Sequence, residues 1–345
     1  MANNPLVEVK NLSVRFPVYG GILSRKVGEV TAVDDISFSI GRSQIVGLVG
    51  ESGCGKTTVG RAMINILKYI ASDVEVEGQI LYHFDGSNVD FAKLHPRSMR
   101  EFRSRVQMIF QDPYASLNPR MTVSQIVEEP LKIHTELKGP QRREKVITLL
   151  EKVGLREDQA GRFPHEFSGG QRQRVGIARA LAPSPDLIIC DEPVSALDVS
   201  IQAQVINLMV DLQKEFDVSF LFIAHDLSVV EHISDKIAVM YLGNLVEFGE
   251  SKQVYHHPRH PYSKALLSAV PVPDPKKKNR QRIVLKGDVP TPMNKPSGCS
   301  FRTRCPQAEP SCADHVPIFE THVPDHWVAC PIVKNKNNGV NNEIQ

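Results

Sequence analysis

The sequence has no apolar run long enough to cross a lipid bilayer. A membrane-spanning helix needs about 20 consecutive apolar residues, whereas the longest apolar runs here have the length of a strand. Residues 1–5 also lack the charged and then apolar pattern of a secretory signal. We therefore expect a cytosolic chain, and any attachment to a membrane should go through a partner protein.

The chain also lacks an excess of charge of either sign. Its 41 basic and 39 acidic residues give a net charge of +2, so no large one-signed field favours nucleic acid as the main partner. One dense basic cluster, residues 276–282, lies beside three prolines. This composition is typical of a solvated linker, with a contact to membrane phosphate as the alternative.

What the chain does have is length and an ordinary globular composition. Its 345 residues suffice for one large domain and a further segment. From about residue 255 the composition shifts towards proline, histidine and cysteine, and residues 334–342 have the composition of a disordered tail.

The most informative stretch is the glycine-rich loop at residues 50–58, which follows the apolar run 45–49 directly. It fits G-x-x-x-x-G-K-[ST], a pattern whose backbone N–H groups bind phosphate at the start of a helix. Lys56 should reach the outer phosphates, and the Thr57 hydroxyl should bind Mg²⁺. A glycine-rich surface turn is the alternative, but the amphipathic run 59–67 after the loop disfavours it. The candidate nucleotide-binding residues are Gly50, Glu51, Ser52, Gly53, Cys54, Gly55, Lys56, Thr57 and Thr58.

Apolar runs alternate with helical patterns, which predicts an α/β protein with a mostly parallel sheet and helices on both faces. Runs 187–190 and 218–224 suit strands that are covered on both faces, and the helical pattern 201–216 separates them. Residues 121–182 are mostly helical in pattern, and residues 6–40 alternate as in a small antiparallel layer.

Two aromatic residues near the N-terminus are candidates for contact with an adenine ring. Phe16 suits either a core position or the flat surface on which adenine stacks, and Tyr19 is the other candidate. Spacing alone does not separate these alternatives.

Polar residues stand at the carboxyl ends of the predicted strands, where open parallel sheets bind their ligands. Besides the glycine-rich loop, they are Gln111, Asp191 with Glu192, and His225. Asp191 is suited to hold Mg²⁺, and Glu192 is suited to activate the attacking water as a general base. Gln111 can contact the metal or the water, and His225 can donate to the terminal phosphate. A single polar group at a strand end would ordinarily cap a helix or form a hydrogen bond in the core. Four strand ends that all carry such groups favour a single nucleotide site.

A second candidate phosphate cradle begins at Ser168, a natural helix N-cap that precedes Gly169, Gly170 and Gln171. Two cradles in one chain favour a head-to-tail pair of subunits, in which each nucleotide touches the glycine-rich loop of one subunit and this second cradle of the other. Asp198 would then lie at the boundary between the subunits.

These motifs together resemble the ATP-binding subunits of ABC transporters over about residues 7–250. The resemblance implies a P-loop NTPase with a RecA-like core, an N-terminal antiparallel β layer and an inserted helical subdomain at about 112–182. It also implies that ATP is held between two subunits, with hydrolysis driven by Glu192 and His225. The segments that carry the likeness are residues 50–58, Gln111, residues 167–171, 187–192 and 195–198, and His225.

Residues 257–271 resemble the C-terminal extension of oligopeptide and dipeptide import ATPases. This implies an ATPase domain at 1–250, an extension at 251–345, and a subunit that energises peptide import from the cytoplasmic face of the membrane. The implied partners are a second homologous ATPase in a heterodimer, two permeases and an extracytoplasmic solute-binding protein. Importers of nickel or oligosaccharides use the same machinery. A soluble ABC ATPase acting on DNA or ribosomes is a rival from another class, but it would be expected to show a coiled-coil insertion or a second cassette.

Four late cysteines, separated by five, six and seventeen residues, lack the C-x-x-C spacing of a zinc ribbon. From spacing alone, zinc, an iron-sulfur cluster and free thiols stand on equal footing. The family resemblance implies a [4Fe-4S] cluster. Residues 290–332 show little periodicity, so we expect metal ligation to supply the free energy that folds them. We also expect this segment to lie apart from the residues that carry out the ATP chemistry. The proposed ligands are Cys299, Cys305, Cys312 and Cys330.

Overall fold

Three strands of this protein are buried at every position, which explains their uninterrupted apolar sequence. The computed structural model describes residues 5–21, 25–95, 97–270 and 282–333. The strands within these ranges are β1 (Val7–Gly20), β2 (Arg25–Ile40), β3 (Ile45–Val49), β4 (Glu75–Phe84), β5 (Ser87–Asp90), β6 (Val106–Ile109), β7 (Leu187–Asp191), β8 (Ser219–Ala224), β9 (Lys236–Tyr241), β10 (Asn244–Glu250), β11 (Glu320–Val323) and β12 (His326–Val328). The α-helices are α1 (Lys56–Met63), α2 (Leu67–Ile70), α3 (Val123–His134), α4 (Gly139–Lys152), α5 (Gly169–Leu181), α6 (Val199–Phe216), α7 (Leu227–Ile233), α8 (Ser251–His256) and α9 (Pro261–Ala269).

The chain divides into two compact units, and each is built from separate stretches of sequence. The first unit consists of Met1–Leu6, Ile40–Ile45 and Lys93–Ile223. The second unit consists of Val7–Ser39, Val46–Ala92 and Ala224–Gln345.

The first unit contains the parallel strands β6, β7 and β8, in which Val106 pairs with Leu187 and Leu187 pairs with Ser219. Helices α3 to α6 belong to the same unit. Helix α3 begins at a capping box, because Thr122 Oγ1 accepts from the Gln125 N–H and Gln125 Oε1 accepts from the Thr122 N–H. Each side chain thereby accepts from a backbone N–H group that has no acceptor within the helix.

The second unit contains an antiparallel layer and a mixed sheet. The layer has the strand order β2-β1-β4-β5. In the sheet, β3 pairs with β9 in parallel, and β10, β12 and β11 follow in antiparallel pairing. The C-terminal residues therefore extend the same sheet that carries the glycine-rich loop.

The predicted α/β fold with parallel strands and an N-terminal antiparallel layer is confirmed. Most of the basic cluster, residues 276–281, and the tail from residue 334 lie outside the described residues. Within the described ranges, no helix is both long enough and apolar enough to cross a membrane.

The C-terminal segment buries more apolar surface than its sequence pattern predicts. Phe301, Val328 and Ile332 are each 4% exposed or less. The pattern misses this packing because β11 and β12 have only four and three residues, too few to show a strand period.

Candidate nucleotide site

The glycine-rich loop after β3 packs against neighbouring backbone at two of its glycines. A Cβ at Gly50 would lie 2.1 Å from the Met240 carbonyl oxygen, and a Cβ at Gly55 would lie 2.1 Å from the Ala32 carbonyl oxygen. Gly55 also has a φ of +105°, in the left-handed region that side chains disfavour. Both positions therefore require glycine. As the N-cap of α1, Gly55 supplies no side-chain hydrogen bond to the first N–H groups of the helix, and such groups suit an anion.

Lys56 is 4% exposed and begins helix α1. Its Nζ donates to the carbonyl oxygens of Gly50 and Glu51 at 2.8 and 3.0 Å. A cation at the positive end of a helix is unfavourable by itself, and a bound phosphate would reverse that cost. The residues of this loop therefore fit a nucleotide phosphate. Thr57 lies in the first turn of the same helix.

Gln111 and Glu192 are brought together in the first unit. Gln111 follows β6 and its Nε2 donates to Glu192 Oε2 at 3.1 Å. Asp191, the last residue of β7, is 2% exposed. Side chains from the ends of two neighbouring parallel strands therefore lie within hydrogen-bond distance, and their catalytic roles stay a prediction.

Glu192 has a φ of +45°, in the left-handed region. Its N–H donates to the Ile223 carbonyl oxygen at 3.0 Å, and its own carbonyl oxygen accepts from the backbone N–H and the hydroxyl of Ser195. These bonds hold a backbone conformation that costs a non-glycine residue about 1–3 kcal/mol. Strain of this kind is typical of functional sites.

The second cradle is a capped helix end. Ser168 Oγ accepts from the Gln171 N–H at 3.4 Å, and Gln171 Oε1 accepts from the Ser168 N–H at 3.0 Å. Ser168 and Gly169 are exposed, whereas a Cβ at Gly170 would lie 2.5 Å from Ile201 Cγ2. Glycine at 170 thus has a packing role, which sequence alone did not indicate.

Asp198 stands at the N-cap of α6 without a side-chain capping bond, and both Asp198 and Val199 are exposed. In the second unit, His225 is exposed and directly precedes Asp226, which caps α7 by accepting from the Ser228 N–H.

The two candidate adenine-stacking rings lie on β1. Phe16 is half-buried, and Tyr19 is 50% exposed, with its phenol hydrogen-bonded to Asp73. The Asp73 bond raises the pKa of the Tyr19 phenol. Contact of Phe16, or alternatively of Tyr19, with the adenine ring stays a prediction.

The iron-sulfur prediction is wrong. Among the described residues, no group of three or more His, Cys, Asp or Glu side chains is arranged to hold a metal ion. Burial raises the pKa of the Cys299 thiol to about 11, and it also raises the pKa of Cys305 and Cys330. Cys312, the fourth predicted ligand, is 3% exposed. In the absence of a metal, burial therefore favours the neutral thiol, and Phe301, Val328 and Ile332 bury apolar surface in the same segment.

Sequence reasoning missed two residues that touch the glycine-rich loop. Arg304 donates to both carboxylate oxygens of Glu51, at 2.7 and 3.2 Å, and the Tyr262 hydroxyl accepts from the Glu51 N–H at 2.9 Å. They lie 253 and 211 residues from Glu51 in sequence, so no local pattern could have indicated them.

Comparison with known proteins decides the family. The ABC transporter family matches residues 33–195, and the oligopeptide/dipeptide transporter C-terminal region matches residues 246–312. The oligopeptide transport ATP-binding protein AppF of Bacillus subtilis (strain 168) is 53% identical over 94% of this chain and 96% of its own length. The chain belongs to the ABC transporter family.

It is an ATP-binding and ATP-hydrolysing subunit of that family, whose members act as ATPase dimers with membrane permeases. The oligopeptide transport ATP-binding protein OppF of Haemophilus influenzae is 50% identical over 94% of this chain and 96% of its own length. Among solved structures, cbiO1 of Clostridium perfringens, part of the ABC transporter complex cbiONQ, matches with a TM-score of 0.60 and 26% identity over 74% of this chain and 92% of its own. The ATP-binding cassette MJ0796, dimeric and bound to ADP and Pi, matches with a TM-score of 0.59 and 26% identity over 71% of this chain and 98% of its own.

Proposed function

We propose that this chain hydrolyses ATP to energise the import of dipeptides and oligopeptides. The observation that carries the proposal is similarity along nearly the whole chain to proteins named for oligopeptide transport. The match includes the C-terminal region at 246–312, whose family is described for oligopeptide and dipeptide transporters. Nickel and oligosaccharides are the other solutes that the same machinery would serve.

The working assembly contains a second, distinct ATPase subunit, two permeases and an extracytoplasmic solute-binding protein, with this chain at the cytoplasmic face of the membrane. Ser168, Gly169, Gln171 and Asp198 face the nucleotide that the second subunit binds, and Gly170 packs against Ile201 behind this helix end. Exposure of Ser168, Gly169 and Asp198 supports this role.

Each residue of the nucleotide site has a role that its chemistry suits. The backbone of residues 50–58 and Lys56 hold the phosphates of ATP, and Thr57 and Asp191 hold Mg²⁺. Glu192 takes the proton of the attacking water, and His225 donates to the terminal phosphate. The Gln111 amide orients the Glu192 carboxylate through its nitrogen, and its oxygen is the group suited to Mg²⁺ or water.

Purification of the complete complex tests the proposal. The chain, tagged and produced together with its transporter subunits, should copurify with two permeases and a second ATPase. Mass spectrometry of the solute-binding protein should find bound peptides, and these peptides should stimulate ATP hydrolysis by the complex. Bound nickel or oligosaccharide in place of peptide would overturn the substrate class. Purification without any membrane protein would overturn the transport function itself.

A further inference from the structure

The C-terminal extension, described at residues 251–270 and 282–333, contacts the phosphate-binding loop through the buried Tyr262 and the partly buried Arg304. The Arg304 guanidinium forms a two-pronged ion pair with the Glu51 carboxylate, and Tyr262 accepts from the Glu51 N–H. The Arg304 side chain is 9% exposed, and that of Glu51 is 26% exposed. Partial burial therefore reduces the screening of this pair by water relative to a fully exposed salt bridge.

An aromatic cluster fixes both contacting side chains. The rings of Tyr241, Tyr262 and Phe301 lie 4.8 to 5.3 Å apart, centre to centre, and each residue is 1% exposed or less. The Arg304 guanidinium lies 5.9 Å from the centre of the Tyr241 ring, within the range of a cation–π contact. The extension thus offers Glu51 a rigid pair of partners.

Glu51 joins this contact to the phosphate-binding lysine. Its carbonyl oxygen accepts from Lys56 Nζ at 3.0 Å, while its N–H and carboxylate are held by the extension. A second bond ties the other side of the loop, where the Gly243 N–H donates to the Cys54 carbonyl oxygen at 3.0 Å. Movement of Arg304 or Tyr262 would therefore move the residue that positions Lys56.

Charge gives the contact a second consequence. A carboxylate in a loop that holds a triphosphate repels the ligand, and the Arg304 guanidinium neutralises that carboxylate. The ion pair raises the pKa of Arg304 further, so the guanidinium stays charged at all physiological pH values. Loss of Arg304 would leave Glu51 as an uncompensated negative charge beside the phosphates.

We propose that Arg304 and Tyr262 of the C-terminal extension are positioning residues of the ATP site, acting through Glu51 on the phosphate-binding loop. The inference rests on the nucleotide site proposed above. It differs from our expectation that the extension lies apart from the ATP chemistry. By this inference the extension is part of the nucleotide site.

ATP affinity of the full-length chain tests the proposal. Arg304→Ala should weaken ATP binding by about tenfold, and Tyr262→Phe by about threefold, as expected for loss of a charged and of a neutral hydrogen bond. In the assembled complex, Arg304→Ala should raise the KM for ATP far more than it lowers kcat. Arg302→Ala is the matched control, because Arg302 donates to Ser297 within the extension; it should leave ATP affinity unchanged.

A double variant separates the charge effect of Arg304 on Glu51 from unfolding of the extension. Glu51→Gln combined with Arg304→Ala removes the uncompensated charge, so it should regain most of the ATP affinity that Arg304→Ala loses. If Arg304→Ala acted by unfolding the extension, the second substitution would restore nothing. Equal ATP affinity of Arg304→Ala and wild type would overturn the inference while the nucleotide site stands. Absence of ATP binding by the wild type would overturn the nucleotide site itself.

Discussion

Glu192 combines a left-handed backbone with a carboxylate bonded to Gln111. Several backbone and hydroxyl bonds hold this conformation, so the side chain is aimed before any substrate arrives. Preorganisation of a general base is a common source of catalytic rate. The residue is therefore the sharpest single test of the proposed chemistry.

Glu192→Gln should lower ATP turnover of the complex by about 100- to 10,000-fold, because the amide keeps the shape but cannot take a proton. ATP should still bind, and the ATPase dimer should be trapped closed. Steady-state hydrolysis and equilibrium binding of ATP measure the two effects separately.

Two other variants complete that experiment. Lys56→Ala should weaken ATP binding itself, and Glu136→Gln makes the same chemical change at an exposed glutamate and should behave as wild type. Turnover close to normal in Glu192→Gln would contradict the role of the general base.

Residues in a contiguous motif were predictable, and residues in a distant contact were not. Glu192 follows a buried strand within one short pattern, so its place at the end of β7 could be derived from local sequence. Arg304 meets Glu51 only after the chain has folded. The four cysteines show the opposite error, because residues that suit a metal by type have an apolar environment that only tertiary structure reveals.

Helix α9 begins behind an unusual cap, the imidazole of His260. Its Nδ1 accepts from the Tyr262 N–H at 3.1 Å, so the ring must be neutral there. Burial lowers the pKa of His260 from 6.5 to about 4; Glu247 opposes this change and Lys264 adds to it. Protonation would remove the acceptor and place a charge in the core.

Acid should therefore destabilise the chain through His260. Between pH 6.5 and about 4 the unfolded chain binds a proton at His260 that the folded chain does not, so stability falls as the pH falls through this window. We expect the His260 contribution to the free energy of unfolding to fall by about 2 kcal/mol from pH 7 to pH 5. Denaturant unfolding at both pH values measures it.

His260→Asn is the control for that titration, since asparagine caps a helix without titrating. The variant should be less stable at pH 7, because it loses the ring packing against Phe301, but its stability should depend less on pH. An identical pH dependence in both proteins would exclude His260 as the group responsible.

Elements with a clear period or a long apolar run could be predicted within a few residues. The predicted strands at 187–190 and 218–224 correspond to β7 and β8, and the helix at 201–216 corresponds to α6. Strands β11 and β12 could not be predicted, because the pairing of β12 with β10 and of β11 with β12, and not local sequence, makes them strands.

The isolated chain should be a poor ATPase, because its glycine-rich loop needs the Ser168 cradle of another subunit. Self-pairing would have to use a surface shaped for a different partner. Addition of the second ATPase and the permeases should raise the hydrolysis rate, measured at equal ATP and Mg²⁺ concentrations. Full activity of the chain alone would contradict the heterodimer.

The pairing of β12 with β10 also has a consequence for synthesis of the chain. Until β12 is made, β10 presents an open edge of unpaired N–H and C=O groups, which is a template for aggregation. Roughly 80 residues separate the two strands, so the ribosome leaves this edge open for about 4 to 16 s. Truncation near residue 250 would leave the edge of β10 unpaired permanently. We therefore expect a shortened ATPase domain to associate through β10, whereas the full chain closes this edge with its own last strands.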